Sequence, residues 1–135
     1  MELTLVATFV LVPLFIGMVD FGKVYYTSIE VNNAAIAGVS YGAQTSTNYT
    51  DLTGMQSAAT NDAANVTGMT TTSDYRICTD SSGVPSGCKT NCIAAGNCPS
   101  TPNSIFVDVT TQVTVHELLT NKAITLNGAA TMRTQ

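Results

Sequence analysis

The chain has 135 residues, a net charge of −4 and a charged fraction of only 10%, far below the ~25% of soluble domains. Its five basic residues, Lys23, Arg76, Lys89, Lys122 and Arg133, are scattered, so nucleic acid has no electrostatic footprint here. The single histidine, His116, is the one imidazole a Ser-His-Asp relay could use, and at the end of a predicted strand it reads as a surface side chain. The four cysteines, all between 78 and 98, point to disulfides made in an oxidising, extracytoplasmic compartment.

Residues 2–44 organise the rest. From Leu3 to Val19 there is no charge, and the apolar side chains are spread around every face. A helix of that kind is buried on all sides, in lipid or among other helices. The run, extended through Phe21, is long enough to cross a bilayer core of about 30 Å. It continues without a stop signal to about Gln44, giving one helix of about 40 residues and about 60 Å. That is too long to pack against the remaining 90 or so residues, so something outside the chain must cover it. A cleavable signal peptide fits poorly: there is no basic n-region and no small-x-small site before the helix continues. The missing basic leader suggests a chain already processed, or one whose N-terminal flank is not included.

Pro13 removes a backbone donor and crowds the preceding turn, so a kink near residues 9–13, or a break into two helices, is expected. Glu2 has two readings. At a bilayer edge it snorkels to the headgroups; among packed apolar helices a bare carboxylate costs about 2.5–3.5 kcal/mol and needs a cation. The nearest is an α-amino group, its own or that of a neighbouring copy, which would set the register of stacked helices.

Beyond Asp20 the pattern becomes amphipathic. Asp20 and Lys23 are spaced to pair on one face. Phe21, Val24, Tyr25, Val31, Ala35, Gly38, Val39 and Gly42 form a drifting stripe whose side chains shrink toward its end. Ala34, Ala35, Gly38 and Gly42 would admit another element close to the backbone, or Gly42 simply ends the helix. Tyr25, Tyr26 and Tyr41 read as packing or membrane-interface anchors.

After a polar loop at 45–53, in which Asp51 or Thr53 can cap, Leu52–Val66 reads as a short second helix, with Met55, Ala58, Ala59, Ala63 and Val66 at helical spacing and Gly68 as its stop. Thr70–Thr79 is rich in β-formers. The following segment to Asn103 is turn chemistry and is predicted to be a surface loop. Ser104–His116 alternates Ile105, Val107, Val109, Val113 and Val115 against polar neighbours and is the clearest strand. Ala123–Arg133 reads as a last strand with a bulge or turn at Asn127-Gly128. The link Glu117–Lys122 is ambiguous. The expected fold class is therefore α+β: a long apolar N-terminal helix as stalk (residues 1–45), then a head (46–135) with a short second helix and a small antiparallel β-sheet of about three strands carrying a disulfide loop.

Cys78, Cys88, Cys92 and Cys98 are spaced C-x9-C-x3-C-x5-C, which is neither the paired pattern of a structural zinc site nor a haem-attachment motif. Disulfides are expected and no metal. Of the three possible pairings the sequence does not choose; the local one, Cys78–Cys88 with Cys92–Cys98, is the expectation carried forward. Asn48-Tyr49-Thr50 and Asn65-Val66-Thr67 match the N-glycosylation pattern. There is no phosphate cradle, no catalytic constellation and no cofactor motif, and the chain reads as a non-enzyme.

The stretch ELTLVATFVLVPLFIGMVDFGKVYY followed by NNAAIAGVSYGA resembles the N-terminal region of TadE-like pilin-related proteins of bacterial tight-adherence systems. Glu2 matches the family's glutamate, Pro13 its proline, and Asp20-Phe21-Gly22-Lys23 its acidic-Phe-Gly-basic box. Asn32-Asn33-Ala34-Ala35, Gly38 and Tyr41-Gly42-Ala43 match the motif that follows, and the tail ITLNGAATMR is similar to the family's last strand. The resemblance implies synthesis with a basic leader, an inner-membrane pool held by this helix, and cleavage by a prepilin peptidase. It implies export through secretion machinery and entry into a surface filament. The family keeps four residues between the cleaved glycine and the glutamate, whereas only Met1 precedes Glu2 here. The expected role is a structural, self-assembling homo-oligomer with no nucleic-acid partner. Its assembly residues would be Glu2, Phe9, Pro13, Phe15, Asp20, Phe21, Lys23, Gly38 and Gly42.

Overall fold

The computed structural model describes residues 2–79, 87–100, 102, 104–117 and 122–134. Helix α1 (Glu2–Ala43) runs unbroken through Pro13, so the proline does not divide it. A single 3-10 turn at Asn48–Thr50 leads into α2 (Leu52–Asp62). Asp51 is the residue that caps: its carboxylate accepts the Gly54 N–H at 2.9 Å and, through the other oxygen, the Tyr41 hydroxyl at 2.9 Å. One side chain thus satisfies an orphan helix donor and ties the end of α1 to the start of α2.

Helix α2 stops four residues earlier than its periodicity predicts. Ala63 has left helical geometry, and Val66 packs instead against Val31, Val113 and Val115. Gly68, at a φ of +77° that favours glycine, turns the chain toward the first strand.

The sheet has four antiparallel strands, not three: β1 (Thr70–Cys78), β2 (Cys88–Thr90), β3 (Ser104–His116) and β4 (Ala123–Arg133), in the order β2-β1-β3-β4. The extra strand lies in the segment predicted as loop. Cys78 faces Cys88 across the ladder and is bonded to it, which holds β2 against β1. A helical turn, α3 (Cys92–Ala95), follows and is closed by the Cys92–Cys98 disulfide. Residues 80–86 of the expected loop and 118–121 of the β3–β4 link lie outside the described residues.

Asn127-Gly128 makes neither bulge nor turn. The β3–β4 register passes through Gln112–Asn127 and Thr111–Gly128 without interruption. Glycine is needed for another reason: a Cβ at 128 would lie 2.5 Å from the Val31 carbonyl oxygen, so α1 crosses β4 at backbone contact.

The core lies between one face of the sheet and two helices. Val31, Ala34, Ala35 and Val39 from α1, Met55 and Ala59 from α2, and Val107, Val109, Val113 and Val115 from β3 are all buried. The alternation on β3 puts its valines inward. The small residues of α1 do admit close neighbours, since a Cβ at Gly38 would meet the Met55 carbonyl and Val109, and one at Gly42 the Met55 sulfur. The opposite face of the sheet is polar, with Thr72 and Thr110 sharing a hydrogen bond and the Gln112 amide donating to Asn127.

Candidate assembly surface

A single helix, α1, has two environments. One face of its second half is covered by the head, with Val31 at 0% exposure, while Ile36 on the other face stays open. Its first half is bare: Phe9 is 75%, Phe15 61% and Phe21 73% exposed, along with Leu5, Val10, Leu14, Met18 and Val19. The helix is long and apolar enough to cross a membrane, and none of its apolar window is covered by the rest of the chain. The head needs only about three turns of α1, residues 31–42, to close its core. Val24 still packs on the edge of that core, and the apolar run before it projects beyond the head.

Polar side chains on the bare half are satisfied within the helix. The Thr8 hydroxyl donates to the Thr4 carbonyl at 2.8 Å, and Thr27 to the Lys23 carbonyl at 2.8 Å. Such back-bonding lets a helix sit in lipid or against apolar neighbours without orphaned hydroxyls. Sequence reasoning passed over these threonines; the signal was an isolated Thr within an apolar run. At the far end of the span Phe21 and Tyr25 stack, with centroids 6.3 Å apart and planes 13° apart. This exposed aromatic pair has the character of an interface belt.

The structure brings Phe9, Pro13, Phe15 and Phe21 onto this surface, with Asp20 and Lys23 where the apolar run ends. Glu2 heads the helix, and its side chain lies outside what the structure describes. Gly38 and Gly42 lie apart, facing the chain's own Met55, Val107 and Val109. The main charged contact is elsewhere, on the outer face of the sheet. Arg76 Nε and Nη2 donate to the two oxygens of Asp108, which raises the guanidinium pKa above its ordinary value, and Thr131 donates to the same carboxylate. Among the described residues, no three potential ligands gather into a metal-binding group.

A family model for TadE-like protein matches residues 1–40. The N-terminal helix is similar to that of TadE-like proteins. The match covers nearly all of α1 and stops before the head, whose fold stands outside it. Comparison with curated proteins and with solved structures returns no match. TadE-like proteins are pilin-related and structural rather than catalytic. With a bare helix of membrane length, the match suggests a pilin-like component of a tight-adherence pilus, at a membrane or surface-pilus location.

Proposed function

We propose that the chain is a structural subunit of an extracellular pilus-like filament, assembled through the first half of α1. The observation that carries this is the uncovered apolar window on a chain whose head is otherwise closed. Each fully buried Leu, Val or Phe contributes about 1.5–3 kcal/mol relative to water, though less when the starting state is lipid. Packing these helices side by side, offset along the axis, makes head-to-tail contacts that do not close, and such contacts generate fibres. Phe9, Phe15 and Phe21 supply the largest contact surfaces, Glu2 the register through a neighbour's α-amine, and Asp20 and Lys23 the polar end of the seam. The head, with its two disulfides, stands outside the filament core. Before assembly the same segment holds the chain in the inner membrane, where a prepilin peptidase and the secretion machinery act on it.

A second reading keeps the anchor and drops the fibre: a minor, membrane-retained pseudopilin that primes or anchors a tight-adherence pilus. The membrane-length span favours it equally. Material sheared from the cell surface separates the two by electron microscopy and mass spectrometry. Abundant fibres built of this chain support the filament subunit. Trace amounts of it among fibres made of another protein overturn that reading in favour of the anchor.

A further inference from the structure

Beyond the membrane-length run, α1 keeps large apolar side chains in the open. Tyr25 is 62%, Ile29 42% and Ile36 51% exposed. Ile29 and Ile36 stand about 12 Å and about 22 Å past Phe21 along the axis. A span that seats Thr4–Phe21 in a hydrocarbon core of about 30 Å leaves both above the lipid. The head packs on the opposite face of the helix, through Val31, Ala34 and Val39. Lipid and head together leave this face uncovered, and an apolar face of this kind marks contact with a partner.

Its spacing identifies the partner. Gly22, Tyr25, Ile29, Asn32 and Ile36 follow one another at steps of three and four residues, the a/d spacing of a coiled-coil seam. Counted back into the span, the same spacing passes through Leu11, Phe15 and Met18, all exposed. The charges of residues 3–43, Asp20, Lys23 and Glu30, all fall at outer b and f positions, and Pro13 is at an f position too. No charge stands at or beside the seam, so two copies can meet along it without like-charge repulsion. Gly22 lets the two backbones approach closely. From Thr4 to Ile36 the seam is about 48 Å long and about 10 Å wide, so a pair buries about 1,000 Å² in all, the area a specific interface needs.

Asn32 sets the alignment. It is the polar member of the seam above the membrane, and its amide donates to the Ser28 carbonyl at 2.9 Å. That uses one amide hydrogen; the side chain has a second hydrogen and an acceptor oxygen to offer. Two Asn32 side chains meet only at zero offset, whereas a slip of one heptad sets each against Tyr25. A single polar residue in such a seam specifies register at some cost in stability.

We propose that α1 pairs with α1 of a second copy, parallel and in register along this seam, as a left-handed coiled coil. It begins in the membrane and continues beside the heads to Ile36. Both spans enter the bilayer from the same side, which makes the pair parallel. Such pairs, and not single chains, are the units that then add with an axial offset. The proposal rests on the membrane-resident state put forward above.

The test uses the full chain in cell membranes, with one cysteine added at a time; the four native cysteines are already disulfide-bonded. Copper-phenanthroline oxidation should convert Ile29→Cys and Ile36→Cys into covalent homodimers, with Lys23→Cys at least tenfold less cross-linked. Equal cross-linking at Lys23→Cys would overturn the seam. A product whose mass is that of this chain with a different protein would overturn the second copy as occupant. Coexpressed, differently tagged Ile29→Cys and Ile36→Cys chains should give at least tenfold less mixed product than homodimer, and a predominance of mixed product would overturn the register. Asn32→Leu should let the mixed product appear; if it does not, Asn32 does not set the alignment. Ile36→Glu should weaken self-association at least tenfold by energy transfer between labelled copies, with the thermal melt of the head unchanged, and unaltered pairing would count against the proposal. Shearing keeps the two readings apart. Fibres built of a chain whose seam cysteines stay unlinked remove the pairing alone, and linked pairs in cells without fibres remove the filament reading alone.

Discussion

The Thr111 hydroxyl donates to the Val31 carbonyl at 2.7 Å, joining the middle of α1 to the middle of β3 across 80 residues of sequence. Gly128 makes this approach possible, because any Cβ there would meet the Val31 backbone and the Thr111 hydroxyl together. Neither backbone can move away cheaply. Gly128→Ala should therefore destabilise the head by about 3 kcal/mol, at the top of the overpacking range. Thr111→Val keeps the shape and loses one bond, and should cost about 1 kcal/mol. Denaturant titration of the full chain in detergent measures both; a neutral Gly128→Ala would mean that α1 and β4 are not in backbone contact.

Gly42 faces a softer neighbour. A Cβ there would meet the sulfur of Met55, the far end of a flexible side chain that is nonetheless fully buried. Gly42→Ala should cost about 1–2 kcal/mol and Met55→Ala about 2–5 kcal/mol. The double variant should lose measurably less than their sum, since the smaller residue 55 makes room for the methyl. Strict additivity in a double-mutant cycle would contradict the contact.

The two disulfides should matter to the head and not to the span. Closing loops with separations of 10 and 6 residues is worth about 2–3 kcal/mol each. Cys78 and Cys92 are both fully buried. The Ala pairs Cys78→Ala/Cys88→Ala and Cys92→Ala/Cys98→Ala should therefore be tolerated better than the Ser pairs, which would place a hydroxyl in an apolar site. Thermal melts of the head, compared with membrane retention of the same variants, check this: melts shift and retention does not.

Asp51 does two jobs, and its variants should separate them. Tyr41→Phe removes only the link to α1 and should cost about 1 kcal/mol. Asp51→Ala removes that link and the cap on the Gly54 N–H, and should cost about 2 kcal/mol. Equal losses in a denaturation series would show that the cap carries no weight.

Much of this architecture was legible in the sequence, because it follows from periodicity. The unbroken apolar helix, the inward valines of β3 and the Met55–Ala59 face of α2 all fall where their spacing puts them. What was not legible depends on partners distant in the chain. Asn127-Gly128 gives the same local signal whether it turns a hairpin or lets a helix cross, and only the position of Val31 decides. Strand β2 is three residues long and leaves no period to read; it exists because Cys88 is held opposite Cys78. Val66 leaves the helical pattern because a place beside Val113 and Val115 is open to it. At the candidate surface, the aromatic and charged positions of the span were visible as a block of apolar sequence. The point where the head takes over, Val31, was not, since alanine, valine and glycine serve equally well against a neighbour's helix or the chain's own sheet.

The central claim is that residues 4–21 are sheltered by other copies of the chain and never by its own head. Sedimentation velocity of the full-length protein after detergent removal tests it most directly. The account predicts large assemblies with no monomer at micromolar concentration, and a Phe15→Glu variant shifted toward small species. A monodisperse monomer, stable without detergent and with that segment folded against its own sheet, would contradict it.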